Sequence, residues 1–259
     1  MNWQQVDRAA LLAHSGNDPY VRWATPAGVI AAAGEHGWAC VAPWRPSGHW
    51  GGAAIVAPDA PADVESEALE FLAAAARERE VEVEWFSTAA GRELQALSPL
   101  TVAGSGRWDF LWTEVPPVEQ ASAAVDLVEL DDSADAARIE VFARSHNPGF
   151  EGFPGRGFAT LWLGVADDQG DLIAVGSLHE LASGAPHLAG IVVHTEHRGR
   201  GLGRALTAAL TRRAIEAVGV STLGVYSDNA VALAVYARLG YRTGHRFETR
   251  SLVMPERLA

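Results

Sequence analysis

The sequence predicts a mixed α/β (α+β) protein built in two successive halves. Three observations carry this. Short apolar or alternating segments interleave with segments of helical period, and several neighbouring strands are joined by hairpin turns. The stretch 114–124, EVPPVEQASAA, breaks the pattern with two prolines and small residues, the composition of a connector. Element order is similar on its two sides, without visible sequence identity.

In the second half, Val125 to Leu130 alternates as a short strand, and Asp131-Asp132-Ser133 caps a helix from about Ala134 to Arg144. A Gly/Pro-rich loop, HNPGFEGFPGRG, fills 146–157. Thr160 to Ala166 and Leu172 to His179 form a hairpin about Asp167-Asp168-Gln169-Gly170. Ser183 to Pro186 turns into a third strand, His187 to Val193. A long helix covers about Gly201 to Ala217. Its apolar residues Leu202, Leu206, Leu210, Ala214 and Val218 mark one buried face. Thr222 to Tyr226 is a strand, and Asn229 opens a helix that Gly240 ends. Tyr241 to Leu252 is a last strand, broken near Gly244.

The first half reads as strands Gly28 to Ala33 and Gly37 to Pro43 around a tight turn, then Gly51 to Ala57. A helix follows at Asp63 to Glu78, a strand at Val81 to Phe86, a helix at Ala89 to Leu97 and a strand at Trp108 to Thr113. Eight of the nine tryptophans lie at or before Trp112, which supports dividing the chain there.

Composition narrows the function. The net charge is −12, which argues against a general nucleic-acid binder. Yet 198–259 holds ten Arg against four acids, while the first 197 residues hold ten Arg and 28 acids. A basic island on an acidic protein suits a phosphorylated ligand. No apolar run approaches a membrane span and no signal-peptide core is present, so a cytoplasmic protein is expected. The single cysteine, Cys40, lies in the apolar run WACVAPW and is expected in the core.

The chemistry concentrates in Arg198-Gly199-Arg200-Gly201-Leu202-Gly203-Arg204. Here a helix starts inside a glycine run after an apolar strand. A helix N-terminus offers unpaired N–H groups and the positive end of its dipole, and glycines let the backbone curl round an anion. Three phosphate loops compete. The P-loop needs a lysine, and the chain has none. The dinucleotide fingerprint G-x-G-x-x-G fails because Arg204 or Leu206 stands at its third glycine. The third pattern, [Q/R]-x-x-G-x-[G/A], is matched by Arg198, Gly201 and Gly203.

This pattern is the signature of the GNAT acyltransferase superfamily, and the region from about Val125 to Leu252 resembles that family further. Asn229 precedes Tyr236 by seven residues, and Leu239-Gly240-Tyr241 follows, as in GNAT proteins. The resemblance implies two tandem GNAT-like domains, each a mixed, mostly antiparallel sheet flanked by helices. Residues 1–114 would be a degenerate copy, 115–124 a linker and 125–259 the intact catalytic domain. It implies acetyl-CoA or another acyl-CoA as co-substrate, no metal, and transfer of the acyl group to an amine of a small molecule or peptide. Neither nucleic acid nor membrane is an expected partner, and a monomer or homodimer is expected. A non-catalytic acyl-CoA sensor is the alternative.

Carried over residue by residue, the resemblance gives backbone groups from Arg198, Gly199, Arg200, Gly201, Leu202, Gly203 and Arg204 to the pyrophosphate. It gives the edge of Ile191, Val192 and Val193 to the pantetheine arm, with Asn229 and Ala232 beside it. Tyr236 would protonate the departing thiolate. The base is open: His187, with an imidazole pKa in the useful range, comes first and Glu180 second, and some family members need none. His194, His197 and His187 are poorly spaced as zinc ligands. In the first half, Arg45-Pro46-Ser47-Gly48-His49-Trp50 puts Trp where the signature needs a small residue. That half either walls the acceptor pocket or serves as scaffold. The loop 146–157 offers Phe150, Glu151 and Phe153 to an apolar or cationic group.

Overall fold

A computed structural model describes residues 3–46, 48–92, 101–118 and 125–253 of the chain. The first half contains β1 (Gln4–Val6), α1 (Arg8–His14), α2 (Pro19–Ala24), β2 (Ile30–Gly34), β3 (Gly37–Pro43), β4 (Trp50–Val56), α3 (Val64–Arg77), β5 (Val83–Ala89) and β6 (Thr101–Thr113). The second contains β7 (Val128–Leu130), α4 (Ala136–His146), β8 (Ala159–Ala166), β9 (Leu172–Glu180), β10 (Pro186–Val193), α5 (Leu202–Val218), β11 (Ser221–Tyr226), α6 (Ala230–Arg238) and β12 (Arg242–Val253).

Most expected elements are present within one to three residues of their expected ends. β1, α1 and α2 were not expected. The two helices carry ordinary start signals: Asp7 accepts from the Ala10 N–H, and Asp18 caps α2 ahead of Pro19. The expected helix at Ala89 to Leu97 is corrected at its start. Ala89 is the last residue of β5 and pairs with Phe247, and a turn follows. Residues 93–97 of that helix lie outside the described residues, as do 119–124 of the expected linker.

All strands form a single sheet, in the order β1-β2-β3-β4-β5-β12-β6-β11-β10-β9-β8-β7. Within each half the order is regular: an antiparallel run, then a parallel pair, β4 with β5 and β10 with β11. The last strand of each half crosses over. β6 pairs with β11 of the second half, β12 pairs with β5 of the first, and the two pair antiparallel with each other at the centre. Their inward side chains, Phe110 and Phe247, are fully buried with Tyr20 edge-on to both. α3 covers one face of the first half through Leu69 and Leu72, and α5 covers the second through Leu206 and Leu210. Cys40 is buried and free, and burial pushes its thiol up to about 12, so it is inert packing.

Candidate functional site

Strand alternation decides which side chains share a face. On β9, β10 and β11, Leu178, Leu188, Leu223 and Val225 join Leu206, Leu210 and Tyr236 on the α5–α6 side. Their neighbours His179, His187, Thr222 and Tyr226 therefore point to the opposite face. The same alternation turns Glu180, exposed at the end of β9, away from His187. The two candidate bases thus do not share a pocket.

Between β10 and β11 the sheet opens. Only His187↔Thr222 and Leu188↔Leu223 are in register. Beyond them β10 bulges at Gly190, whose φ is +64, and keeps to β9 alone. The edge of β10 that carries Ile191, Val192 and Val193 thus has no strand partner on the β11 side among the described residues. Gly190 is required there: a Cβ would lie 2.9 Å from the Phe150 ring and 3.1 Å from the Gly152 Cα. The loop 147–158 rests on that bulge and reaches across the opening, where the Tyr226 hydroxyl donates to Glu151 Oε1 at 3.2 Å.

The opening leads to the glycine run. Gly199 and Gly201 have φ of +76 and +85, and open space surrounds the position of a Cβ on either. Gly201 caps α5 with no side-chain hydrogen bond, so the first N–H groups of the helix face outward uncapped. Leu202 packs beside Leu206, and a Cβ on Gly203 would lie 3.4 Å from Val193. Arg198 does not point into this cradle. Its guanidinium donates to Val193 O at 3.3 Å and to His146 O at 2.8 Å, tying the end of β10 to the end of α4. Arg200 is exposed and Arg204 half-buried. The donors, the charge and the uncovered strand edge fit a pyrophosphate with an extended arm.

Asn229 caps α6, with its amide oxygen accepting from the Ala232 N–H at 3.1 Å. Its amide NH2 keeps its donor capacity beyond that cap. Tyr236 is buried on α6, and burial alone pushes its hydroxyl up to about 12. It is protonated at any working pH and can only give a proton.

His187 behaves otherwise than its free side chain would. It is buried, and desolvation first, then His179 and Arg45, lower its pKa to about 3. The expected titration near neutrality is therefore corrected: His187 stays neutral. Thr222 Oγ1 donates to Pro186 O, so His187 Nδ1–H must donate to Thr222 Oγ1 at 2.9 Å. This leaves Nε2 as an acceptor, turned toward Gly224. His179 is held in the opposite tautomer. Its Nε2 donates to Gly152 O at 3.0 Å, and burial with the neighbouring Arg45 lowers its pKa to about 4. Both histidines take up protons more readily in the unfolded chain, so stability should fall as pH drops from about 6.5 toward 4. For His187 the loss should reach about 3 kcal/mol near the bottom of that range. Denaturant unfolding at several pH values should show a flatter dependence in His187→Gln; an identical slope would contradict the buried neutral imidazole.

The first half supplies part of this face, which sequence reasoning left open. Trp44 meets the His187 ring edge-on at 5.4 Å, and its carbonyl accepts from the Ala182 N–H. Arg45 reaches His179 Nδ1 at 3.3 Å. In the sequence, Arg45 stands out only through the Arg-Pro-Ser-Gly stretch, which matches the cradle signature in part.

The equivalent opening in the first half is shut. β4 and β5 pair from Trp50↔Val83 to Ala54↔Thr88, with one register shift after Trp50 and unbroken register from Gly51↔Trp85 onward. Trp85 fills the interstrand space so closely that a Cβ on Gly51 would lie 2.0 Å from its ring. Ahead of α3 stand Pro58 and Pro61, and its first turn carries Glu65 and Glu67. Glu65 is buried against the Arg92 guanidinium, at 2.5 and 2.8 Å. Carboxylates at a helix N-terminus favour the helix and repel phosphate.

Residues 127–241 match the sequence model of the acetyltransferase (GNAT) family. Similar solved structures cover 94–98% of the chain. A GNAT-family protein of Novosphingobium aromaticivorans is 18% identical with a TM-score of 0.54, covering 94% of this chain and 96% of that one. An acetyltransferase from the GNAT family of Colwellia psychrerythraea is 14% identical with a TM-score of 0.52, over 98% of this chain and 100% of that one. A GCN5-related N-acetyltransferase from Sphaerobacter thermophilus is 14% identical with a TM-score of 0.51, over 98% and 96%. At these identities the likeness shows a shared fold over both halves. No curated protein matches the chain. Among the described residues no helix is long and apolar enough to cross a membrane.

Proposed function

We propose, from the match of residues 127–241 to the acetyltransferase (GNAT) family model, that the chain is an acyl-CoA-dependent N-acyltransferase, with acetyl the first acyl group to test. The observation that carries the reading is the parting of β10 from β11 after two pairs, directly beside the uncapped start of α5. We read 125–259 as the catalytic unit and 1–114 as a related copy whose cradle is closed and acidic.

Bound acyl-CoA would supply an electrophilic thioester carbonyl. The N–H groups at Gly201 to Arg204 would hold its pyrophosphate, and the open edge of β10 and the Asn229 amide would hold its arm. The opening connects two sheet faces, with Tyr236 on one and His187 on the other. The amine would therefore arrive on the His187 side, where Nε2 can accept its hydrogen bond and direct its lone pair inward. Tyr236, on the far side, would hold a proton for the departing sulfur. With a pKa of about 3, His187 orients the amine rather than storing its proton; the proton that nitrogen sheds on acylation passes to solvent water, and solvent returns one to Tyr236 after thiol release. We assign no step to Glu180, which faces away.

Release of free thiol from acetyl-CoA across a panel of amines tests the reading. Turnover with some amines supports transfer, whereas tight CoA binding with no turnover on any acceptor would favour a sensor. Tyr236→Phe should lower turnover by about 100-fold while leaving CoA affinity within error. Unchanged turnover would remove Tyr236 from the reaction.

A further inference from the structure

Arg45 is a half-buried cation on the acceptor face, and its surroundings are incomplete. Its Nε is buried with no hydrogen-bond partner. One terminal nitrogen reaches His179 Nδ1, a neutral acceptor. The guanidinium otherwise lies over the rings of Phe153 and Phe158, at 5.2 and 5.0 Å. Phe153 holds this place with a φ of +50, a strained value for a side-chain-bearing residue. No carboxylate lies within ion-pair distance of Arg45 among the described residues. Burial pushes its guanidinium down, and the only charge set against that is Glu151, felt across space. A guanidinium stays charged, and a buried charge without a counter-charge is costly unless something supplies one.

Glu151 is the complement. It sits on the loop that spans the opening, is exposed, and accepts only the Tyr226 hydroxyl among the described residues. Arg45 and Glu151 thus face the same region with opposite charges and do not touch. Each comes from a different half of the chain, and His187 adjoins the Arg45 side, in ring contact with Trp44 and paired across the strands with His179.

Building on the proposed transfer to an amine, we infer that the acceptor is a small zwitterion of the free amino-acid class. Arg45 takes its carboxylate in a bidentate contact, and Glu151 takes its ammonium. Arg suits the first task because its planar fork matches a carboxylate. This gives the first half a function: it lends the second half the cation that selects the substrate.

The test is calorimetry on the intact chain, with and without CoA, using L-amino acids and their carboxamides as matched probes. At least one amino acid should bind about 10-fold or more tighter than its amide, since a charge-assisted hydrogen bond is at stake. Arg45→Gln should erase that preference and leave CoA affinity unchanged, and Arg45→Lys should keep part of it. The inference is overturned if every amide binds as well as its acid, if no amino acid binds, or if Arg45→Gln keeps the preference. Should Arg45→Gln fail to fold, the acid-over-amide ratio in the native chain decides alone. Failure of CoA itself to bind would overturn the acyltransferase reading, whereas the amino-acid titration without CoA would still judge Arg45.

Discussion

Gly201→Trp is expected to abolish measurable CoA binding, by at least about 100-fold in calorimetry, while the protein stays folded. Two effects combine. Gly201 has a φ of +85, where a side chain costs about 1–2 kcal/mol. The indole would also occupy the open space into which the first N–H groups of α5 point. Losing two such donors to an anion, at roughly 1.5–3 kcal/mol each, accounts for the drop in affinity. A control separates strain from obstruction. Gly219 closes the other end of the same helix with a φ of +84 and open space around it. Gly219→Trp should lower stability by a similar amount and leave CoA affinity alone. If Gly201→Trp binds CoA as the native chain does, the cradle is elsewhere.

That site was legible because its signals are local. The glycine run, the start of α5 and the Asn229 cap each depend on a few consecutive residues. What the sequence hid was partnership. β6 and β12 read correctly as strands, but nothing in their alternation says which neighbours they take, because register is set by faces far apart in the chain. Gly104 and Gly106 also shortened the reading of β6, which begins at Thr101 rather than near Trp108. Ala89 to Leu97 has good helix formers, and the pairing of Ala89 with Phe247 overrides them at its start. α1 and α2, of seven and six residues, are too short for periodicity to show.

The same limit explains the misreading of single residues. His187 had the right distance from Arg198 for a base, and distance along a strand does report facing. It does not report burial, which depends on Trp44 arriving from the other half. Arg45 had no visible role because its partners, His179, Phe153 and Phe158, lie more than a hundred positions away.

Partnership also governs how the chain folds. Among the described residues β6 pairs only with β11 and β12, and β12 only with β5 and β6. A chain cut within 119–124 therefore leaves each fragment with a final strand that has no native partner. The first fragment also loses the cover that Phe247 gives Tyr20, and the second loses the Trp108–Phe110 edge against β11. Each buried aromatic removed in this way is worth about 3–5 kcal/mol, comparable to the whole stability of a domain of this size. Neither fragment, expressed alone, should show a cooperative unfolding transition. Mixed in equal amounts they should associate and regain one, with β6 and β12 taking their places at the centre of the sheet. The uncut chain should then unfold in a single step by circular dichroism and by tryptophan fluorescence, since most tryptophans report on the first half and most helix on the second. Two separated transitions, or a fragment that unfolds cooperatively by itself, would show that the exchanged strands are not what joins the halves.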